Sequence, residues 1–197
     1  MGKAEKTRQW IAEKTAPLFN KKGFEATSLS DLTTATGLTK GALYGNYKDK
    51  QAIRKAAFEY AMVEVRNLAK DYLGSATTFK GKLSALVGFF ASYVLSPPVE
   101  GGCPLLNTAI EVDDGDPNMR AVVVKELHAM VNYISWLLEK GIAANEFKPD
   151  IDTKALAYTF FCSIEGALMF SRVEQSRDPM NMVVAHCNNL LDQISKS

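Results

Sequence analysis

Residues Ser28 to Lys50 read SLSDLTTATGLTKGALYGNYKDK, two short helical segments joined through a glycine. Ser28 stands three residues before Asp31, the spacing of a capping box. There, the first side chain and the later carboxylate each satisfy a backbone N–H left free at a helix start. Gly37 supplies the left-handed residue that ends the first segment, because only glycine enters that region without a Cβ clash. Thr39 is placed to cap a second short helix ending near Asn46. Two such helices with a glycine turn fit the helix-turn-helix scheme, whose second helix enters the major groove of DNA. Leu29, Leu32 and Ala35 pack inward from the first helix, Leu38 and Leu43 from the turn and the second. The outward set is Thr39, Lys40, Ala42, Tyr44 and Asn46. These side chains are short or hydrogen-bonding, with one cation and one aromatic, which suits base edges and phosphates.

Outward from this stretch the chain reads as helix after helix. A first helix spans about Lys3 to Lys22, with Trp10, Ile11, Ala12, Leu18 and Phe19 on or beside one face, and Gly23 stops it. Pro17 removes one intrahelical hydrogen bond, which predicts a kink or a local tightening there. A long helix starts near Asp49 or Lys50 and reaches about Tyr72. Thr78 to Leu95 follows, closed by Pro97-Pro98, and Pro104 to Val112 is a short helix after Gly101-Gly102. Asp116-Pro117 opens a long helix with Val124, Leu127, Val131, Ile134, Leu138 and Ile142 at spacings of three and four. Asp152 caps the next helix, to about Gln175. Asp178-Pro179 opens the last, with Val183, Cys187, Leu190 and Ile194 on one stripe. Period-2 alternation is missing wherever the chain is apolar, so no strand is expected. The fold class is all-α with nine helices: an N-terminal three-helix helix-turn-helix domain over 1–50 and a larger helical domain over 51–197.

Composition narrows the function. Of 197 residues 47% are hydrophobic, enough for a sizeable core. No run reaches the roughly 18 uncharged apolar residues of a membrane helix. The charged residues from Gly2 to Arg8 lead into an amphipathic segment, without a signal-like apolar core, so a cytoplasmic chain is expected and no membrane partner. The net charge of +1 conceals an asymmetry: residues 1–55 hold 11 Lys/Arg against 5 Asp/Glu, the rest 12 against 17. A basic end on an acidic body suits a protein that meets phosphates with one end. Three cysteines, Cys103, Cys162 and Cys187, form no C-x-x-C pair, and His128 and His186 stand apart. Neither metal nor cofactor is expected. No Ser/His/Asp set and no phosphate-cradling glycine loop points to an enzyme; Cys103 with His128 is the one nucleophile–base pair that could be invented for a small helical one.

Over roughly residues 5–55 the chain resembles the DNA-binding domain of the TetR/AcrR family of bacterial regulators. The carrying residues are Phe19, Gly23-Phe24, Thr27-Ser28, Asp31-Leu32, Gly37-Leu38-Thr39-Lys40-Gly41, Leu43-Tyr44, Tyr47, Lys50 and Ile53. Gly102-Cys103-Pro104-Leu105, with Asn107, Glu111 and Asp116-Pro117, is similar to one branch of that family. The resemblance implies that Ser28 and the helix start it caps meet a backbone phosphate. It puts Thr39 and Lys40 at bases or flanking phosphate, and lets the backbone at Gly41 approach the duplex. Ala42 would touch a thymine methyl. Tyr44, through its hydroxyl, and Lys50 become phosphate clamps; a half-buried packing role is the other reading of Tyr44. Tyr47 stands where the family usually has phenylalanine, its ring core and its hydroxyl a minor addition. Gly45-Asn46 replaces bulkier residues, and glycine costs about 1 kcal/mol against alanine in a helix. The second helix is therefore expected to end early or to order fully on DNA, which bears on Asn46.

The same resemblance implies a repressor released from a palindromic double-stranded operator by a small molecule. It also implies a homodimer through the last two helices and an effector pocket between the fourth and eighth. The pocket candidates are Phe89, Phe90, Tyr93, Cys103, Leu106, Asn107, Ile110, Glu111, Tyr133, Trp136 and Phe160. Aromatics at this spacing serve equally as core. Asn107 and Glu111, an i, i+4 pair, read either as a grip on a polar ligand or as a solvated face. Cys103, between two glycines and a proline, has the setting of an accessible thiol, which leaves a thiol-sensing regulator as an alternative. Ala155 to Phe170 is apolar nearly all round and needs cover on two sides, as a dimer helix or as the central core helix.

Overall fold

The computed structural model describes residues 2–196. Among them run nine α-helices: α1 (Lys3–Lys22), α2 (Leu29–Thr36), α3 (Lys40–Asn46), α4 (Lys50–Leu73), α5 (Phe79–Ser92), α6 (Pro104–Val112), α7 (Pro117–Ala143), α8 (Thr153–Glu174) and α9 (Asp178–Ile194). The chain is all-α, as the helical periodicity requires. Local chemistry sets most boundaries. Gly23 (φ +80°) ends α1, donating its N–H to the Phe19 carbonyl, and Gly37 (φ +70°) ends α2 the same way onto Thr33. Thr78 accepts from the Gly81 N–H at 3.0 Å, and Asp152 accepts from the N–H groups of Lys154 and Ala155. Each such cap contributes on the order of 1 kcal/mol. Pro104 and Pro117 open α6 and α7 at the position where a missing N–H costs nothing.

α1 holds Pro17 inside its span, and two expectations change. α3 continues to Asn46 across Gly45 rather than ending early, because Thr39 caps its start and Leu43 is buried beneath it. α5 stops at Ser92, short of Leu95; Tyr93, Val94 and Leu95 close instead as i−3 turns onto Phe90, Ala91 and Ser92 ahead of the two prolines. One isolated antiparallel bridge, Phe147 to Ser195, also joins the α7–α8 connection to the end of α9.

The described chain divides into two compact units. The first unit takes everything up to Asn67 together with Pro97–Val123, so the first part of α4 and all of α6 lie with the N-terminal helices. The physical reason is packing. Ile11, Leu32, Leu43 and Ile53 form one buried cluster, joined by Leu18, Phe19, Leu29, Leu38 and Tyr47. Ala16, Ala57, Ala61 and Val99 form a second, in which small side chains let α1 and α4 approach closely. The second unit holds Leu68–Ser96 and the chain from Val124 onward. There α5, α8 and α9 pack on one another around buried Phe89, Phe90, Tyr93, Phe161, Ile164, Leu168 and Leu191. The rings of Phe89, Phe90 and Tyr93 meet at centroid distances of 5.2 to 5.5 Å. Of the α7 stripe, Val131, Ile134 and Leu138 are buried while Val124 is exposed. No described helix is long and apolar enough to cross a membrane.

Candidate nucleic-acid interface

The first unit presents α3 on a head built from α1, α2 and the start of α4. Its inner side is tied by Leu43, fully buried among Ile11, Leu32 and Ile53. Burying one leucine contributes about 1.5–3 kcal/mol. Trp10 on α1 adds a directional tie, donating its indole N–H to the Thr36 carbonyl at the end of α2 at 3.0 Å. Tyr47 does the same behind α3. Its ring packs on the cluster and its hydroxyl donates to the Arg8 carbonyl at 3.1 Å, with burial raising its pKa above the ordinary phenol value.

The outer side carries the residues expected to read DNA. Thr39, Lys40, Gly41 and Tyr44 are exposed, Tyr44 at 37%, and Ala42 and Asn46 are half-buried. Thr39 also caps α3, its hydroxyl accepting from the Ala42 N–H at 3.2 Å. Asn46 turns back on its own helix and donates to the Ala42 carbonyl at 2.9 Å, so its amide stabilises α3 in place of the bulk that Gly45 lacks. Lys48, just past α3, has a side chain 84% exposed and a long 3.6 Å contact to Asp49. It is a second exposed cation near α3 in sequence, just outside the helix proper.

Two expected phosphate ligands already have partners within the protein. Ser28 accepts from the Asp31 N–H at 3.1 Å and donates its hydroxyl to Asp31 Oδ2 at 2.8 Å, while its own N–H donates to that same oxygen at 2.8 Å. The capping box is therefore complete. Lys22 at 2.6 Å and the Ser28 donors hold the Asp31 carboxyl down at about 2. Lys50 Nζ donates to the Phe24 carbonyl at 2.5 Å and sits 4.3 Å from the Phe24 ring centre. The long stem folds back on the aromatic face instead of projecting from the start of α4.

The effector candidates fall in both units. Asn107 and Glu111, from α6, bond within the first unit: Asn107 Nδ2 donates to Asn20 O, Asn20 Oδ1 and Gly101 O, each at 3.0 Å. Glu111 accepts from the Phe24 N–H with both oxygens at 3.2 Å and pairs with Arg54 at 3.2 Å. Cys103 is 4% exposed, and its Sγ accepts from the Leu106 N–H at 3.5 Å as the cap of α6. The accessible thiol expected there is thus closed off, because Gly101 and Gly102, both at positive φ, fold the chain inward before Pro104. Leu106 is half-buried, whereas Ile110 is 68% exposed. In the second unit Phe89, Phe90, Tyr93 and Phe160 are close-packed core, while Tyr133 and Trp136 stack at 5.9 Å on an exposed side of α7.

Arg54 is the residue that motif reading passed over. Its side chain is 7% exposed, its guanidinium lies 4.7 Å from the Phe24 ring centre, and burial lowers its pKa against the pull of Glu111, Asp116 and Glu25. An arginine among the buried positions of α4 signals a carboxylate somewhere, but not which one. A crevice of about 520 Å³ opens beside it, lined by Lys22, Phe24, Glu25, Gln51, Glu111 and Asp116 among others. Drug-sized ligands favour linings with few polar groups, and five of the ten residues that line this crevice are charged. Of the eleven effector candidates it gathers only Glu111.

Residues 11–57 match the family model described as bacterial regulatory proteins, tetR family, and residues 80–187 match the tetracyclin repressor-like C-terminal domain. A TetR transcriptional regulator from Chloroflexus aurantiacus superposes with a TM-score of 0.94 at 34% identity, covering 99% of this chain and 98% of that one. A TetR-family regulator from Cytophaga hutchinsonii superposes at 0.93 and 35% identity, over 100% and 98%. The HTH-type transcriptional repressor ComR of Escherichia coli is 28% identical over 195 residues, 96% of this chain and 90% of its own.

Proposed function

Because this chain belongs to the TetR family of bacterial transcriptional regulators, we propose that it is a repressor that sits as a homodimer on a palindromic operator and leaves it when a small molecule binds the C-terminal domain. That it is a DNA-binding regulator and not an enzyme follows from the family. The observation that carries the finer reading is α3. Its N-terminus is capped by Thr39, its inner side is locked by Leu43, and Thr39, Lys40, Gly41 and Tyr44 stand exposed outside. In this reading α3 enters the major groove, Lys40 and Lys48 meet phosphates, and Tyr44 extends its hydroxyl to the backbone. Ser28 contributes through the capped start of α2. ComR is a repressor by name, which supports repression here.

Dimerisation through α8 and α9 is supported by an exposed row that one chain leaves uncovered. Tyr158, Cys162, Met169 and Val173 follow one another at helical spacing on α8, and a side chain at Gly166 among them would meet open space. Met182, His186 and Asn189 are exposed along α9. An isologous two-fold contact covers such rows on both copies at once. It also sets two recognition helices about 34 Å apart, one turn of DNA. For the effector, Phe89, Phe90, Tyr93 and Phe160 are the residues we assign, and a ligand there must part rings that are now in contact. The buried Cys103 gives no observation in favour of thiol sensing.

The test is selection of a duplex from a random-sequence pool, followed by titration across salt. A dimer mass, a palindromic consensus and affinity that falls steeply with salt are expected. Equal affinity for scrambled DNA, or a monomer mass at micromolar concentration, rejects the reading.

A further inference from the structure

We propose that Glu111, on α6 and far in sequence from the helix-turn-helix, is a positioning residue for DNA reading: it holds the Phe24 peptide and thereby the entry into α2 and α3. The inference rests on α3 being the recognition helix, as proposed above.

The segment Gly23 to Thr27 joins α1 to α2. Thr27 bonds back locally, its hydroxyl to Gly23 O at 2.6 Å and its N–H to Phe24 O at 3.3 Å. Ties to residues distant in sequence converge on Phe24. Its N–H is taken by both Glu111 oxygens and its carbonyl by Lys50 Nζ, while its ring stacks on Phe19 at 6.2 Å with Lys50 and Arg54 near its face. The two peptide groups flanking the Phe24 Cα are thus both held, four residues before Ser28, the cap of α2.

Glu111 is itself fixed in place. Asn107, one turn earlier on α6, donates to Asn20 at the end of α1. Asn20 Nδ2 in turn donates to the carbonyls of Glu100 at 3.0 Å and Gly102 at 3.1 Å. The carboxylate also occupies the space that glycine leaves at residue 23, where a Cβ would lie 2.3 Å from Glu111 Oε1. A protein whose binding conformer is only a fraction of its population binds more weakly by that fraction. Releasing the Phe24 N–H frees the turn to leave the one arrangement that aims α3, so the expected loss is one of pre-ordering rather than of a DNA contact.

The full-length protein and the duplex that wild type selects from the random pool provide the test, at a temperature well below every variant's melting point. Glu111→Ala removes both the acceptor for Phe24 and the partner of Arg54. Glu111→Gln keeps an acceptor oxygen but no charge, and Arg54→Met removes the buried cation while leaving the carboxylate on Phe24. We expect Glu111→Ala to bind about tenfold more weakly, with Glu111→Gln restoring most of that loss. The Phe24 amide should exchange slowly in wild type and Glu111→Gln and quickly in Glu111→Ala. In Arg54→Met/Glu111→Ala the melting temperature recovers in part but the affinity does not. Wild-type affinity in Glu111→Ala overturns the role while leaving DNA reading intact. So does recovery of affinity together with melting temperature in the double variant, which would make Glu111 a mere counter-ion. A wild-type protein that selects no duplex overturns the reading of α3 and the role with it.

Discussion

Replacing Lys40 and Lys50 separately by methionine distinguishes a phosphate contact from an internal tie, because the structure gives the two ammonium groups different situations. Lys40 is exposed at the start of α3. Lys50 is half-buried, bonded to the Phe24 carbonyl at 2.5 Å and seated on its ring. Each phosphate neutralised adds about 0.9 to the slope of log affinity against log salt. Across a fourfold rise in salt, one contact therefore accounts for roughly a 3.5-fold loss of affinity. Lys40→Met should flatten the slope by about 0.9 and leave the melting temperature near wild type, since isolated surface changes stay within about 0.5 kcal/mol. For Lys50 the accounts differ. An ammonium has three donors, so it can keep Phe24 and still reach a phosphate; then its loss flattens the slope and also destabilises the head. The lost internal bond is worth on the order of 1 kcal/mol, reduced because the group is partly solvated. Fluorescence anisotropy on the selected duplex at several salt concentrations, paired with thermal melts, reads both quantities. A Lys50→Met protein with an unchanged slope and a lowered melting temperature refutes Lys50 as a clamp and leaves it as a tie on Phe24. An unchanged slope for Lys40→Met would refute the orientation of α3 itself.

Two further outcomes are expected. The Asp31 carboxyl is held at about 2 against an ordinary 3.8, so its folded value is depressed; its contribution is whole above about pH 4 and is lost as the pH falls towards 2. The gap in melting temperature between wild type and Asp31→Asn should be constant near neutrality and close as the pH approaches 2; a gap that persists there contradicts the capping-box assignment. Among the thiols, Cys162 is exposed in the single chain, Cys103 and Cys187 are buried, and burial pushes Cys187 up to about 11. A thiol-specific reagent should label Cys162 first, and more slowly as protein concentration rises and α8 is covered by its partner. A labelling rate independent of concentration argues against that face as the interface.

What could be read from residue order was what is decided within about four residues. The Ser28–Asp31 box, the Gly23 and Gly37 stops and the prolines opening α6 and α7 are local chemistry, and the helix boundaries they mark agree with the structure to the residue. The inward set Leu32 and Leu43 was legible for the same reason, as helical periodicity. Contacts across long separations were not legible. Glu111 meets Phe24 across 87 residues and Arg54 across 57. Asn107 and Glu111 at i, i+4 look alike whether they face water, a ligand or another helix, and only packing shows that they face the head. Cys103 misled because two glycines and a proline signal a turn without saying which side of it faces solvent.

The same contrast explains why the division of the chain differs from the boundary of the motif. The helix-turn-helix ends at Lys50 as a pattern, since pattern is the register of caps and apolar positions. As a packed body it takes in more, because α1 and α4 leave Ala16, Ala57 and Ala61 as a shallow face that cannot bury itself, and Val99 fills it. Arg54 makes the requirement stricter: an arginine buried on α4 needs an anion, and the carboxylate bonded to it comes from α6. Glu111 supplies it and at the same time takes the Phe24 N–H of the α1–α2 turn. A DNA-reading head completed this way is sensitive to residues that touch no DNA. Substitutions between Val99 and Glu111 are therefore expected to change operator affinity without changing which bases are preferred, whereas those at Thr39, Lys40 and Tyr44 change contacts made on the duplex itself.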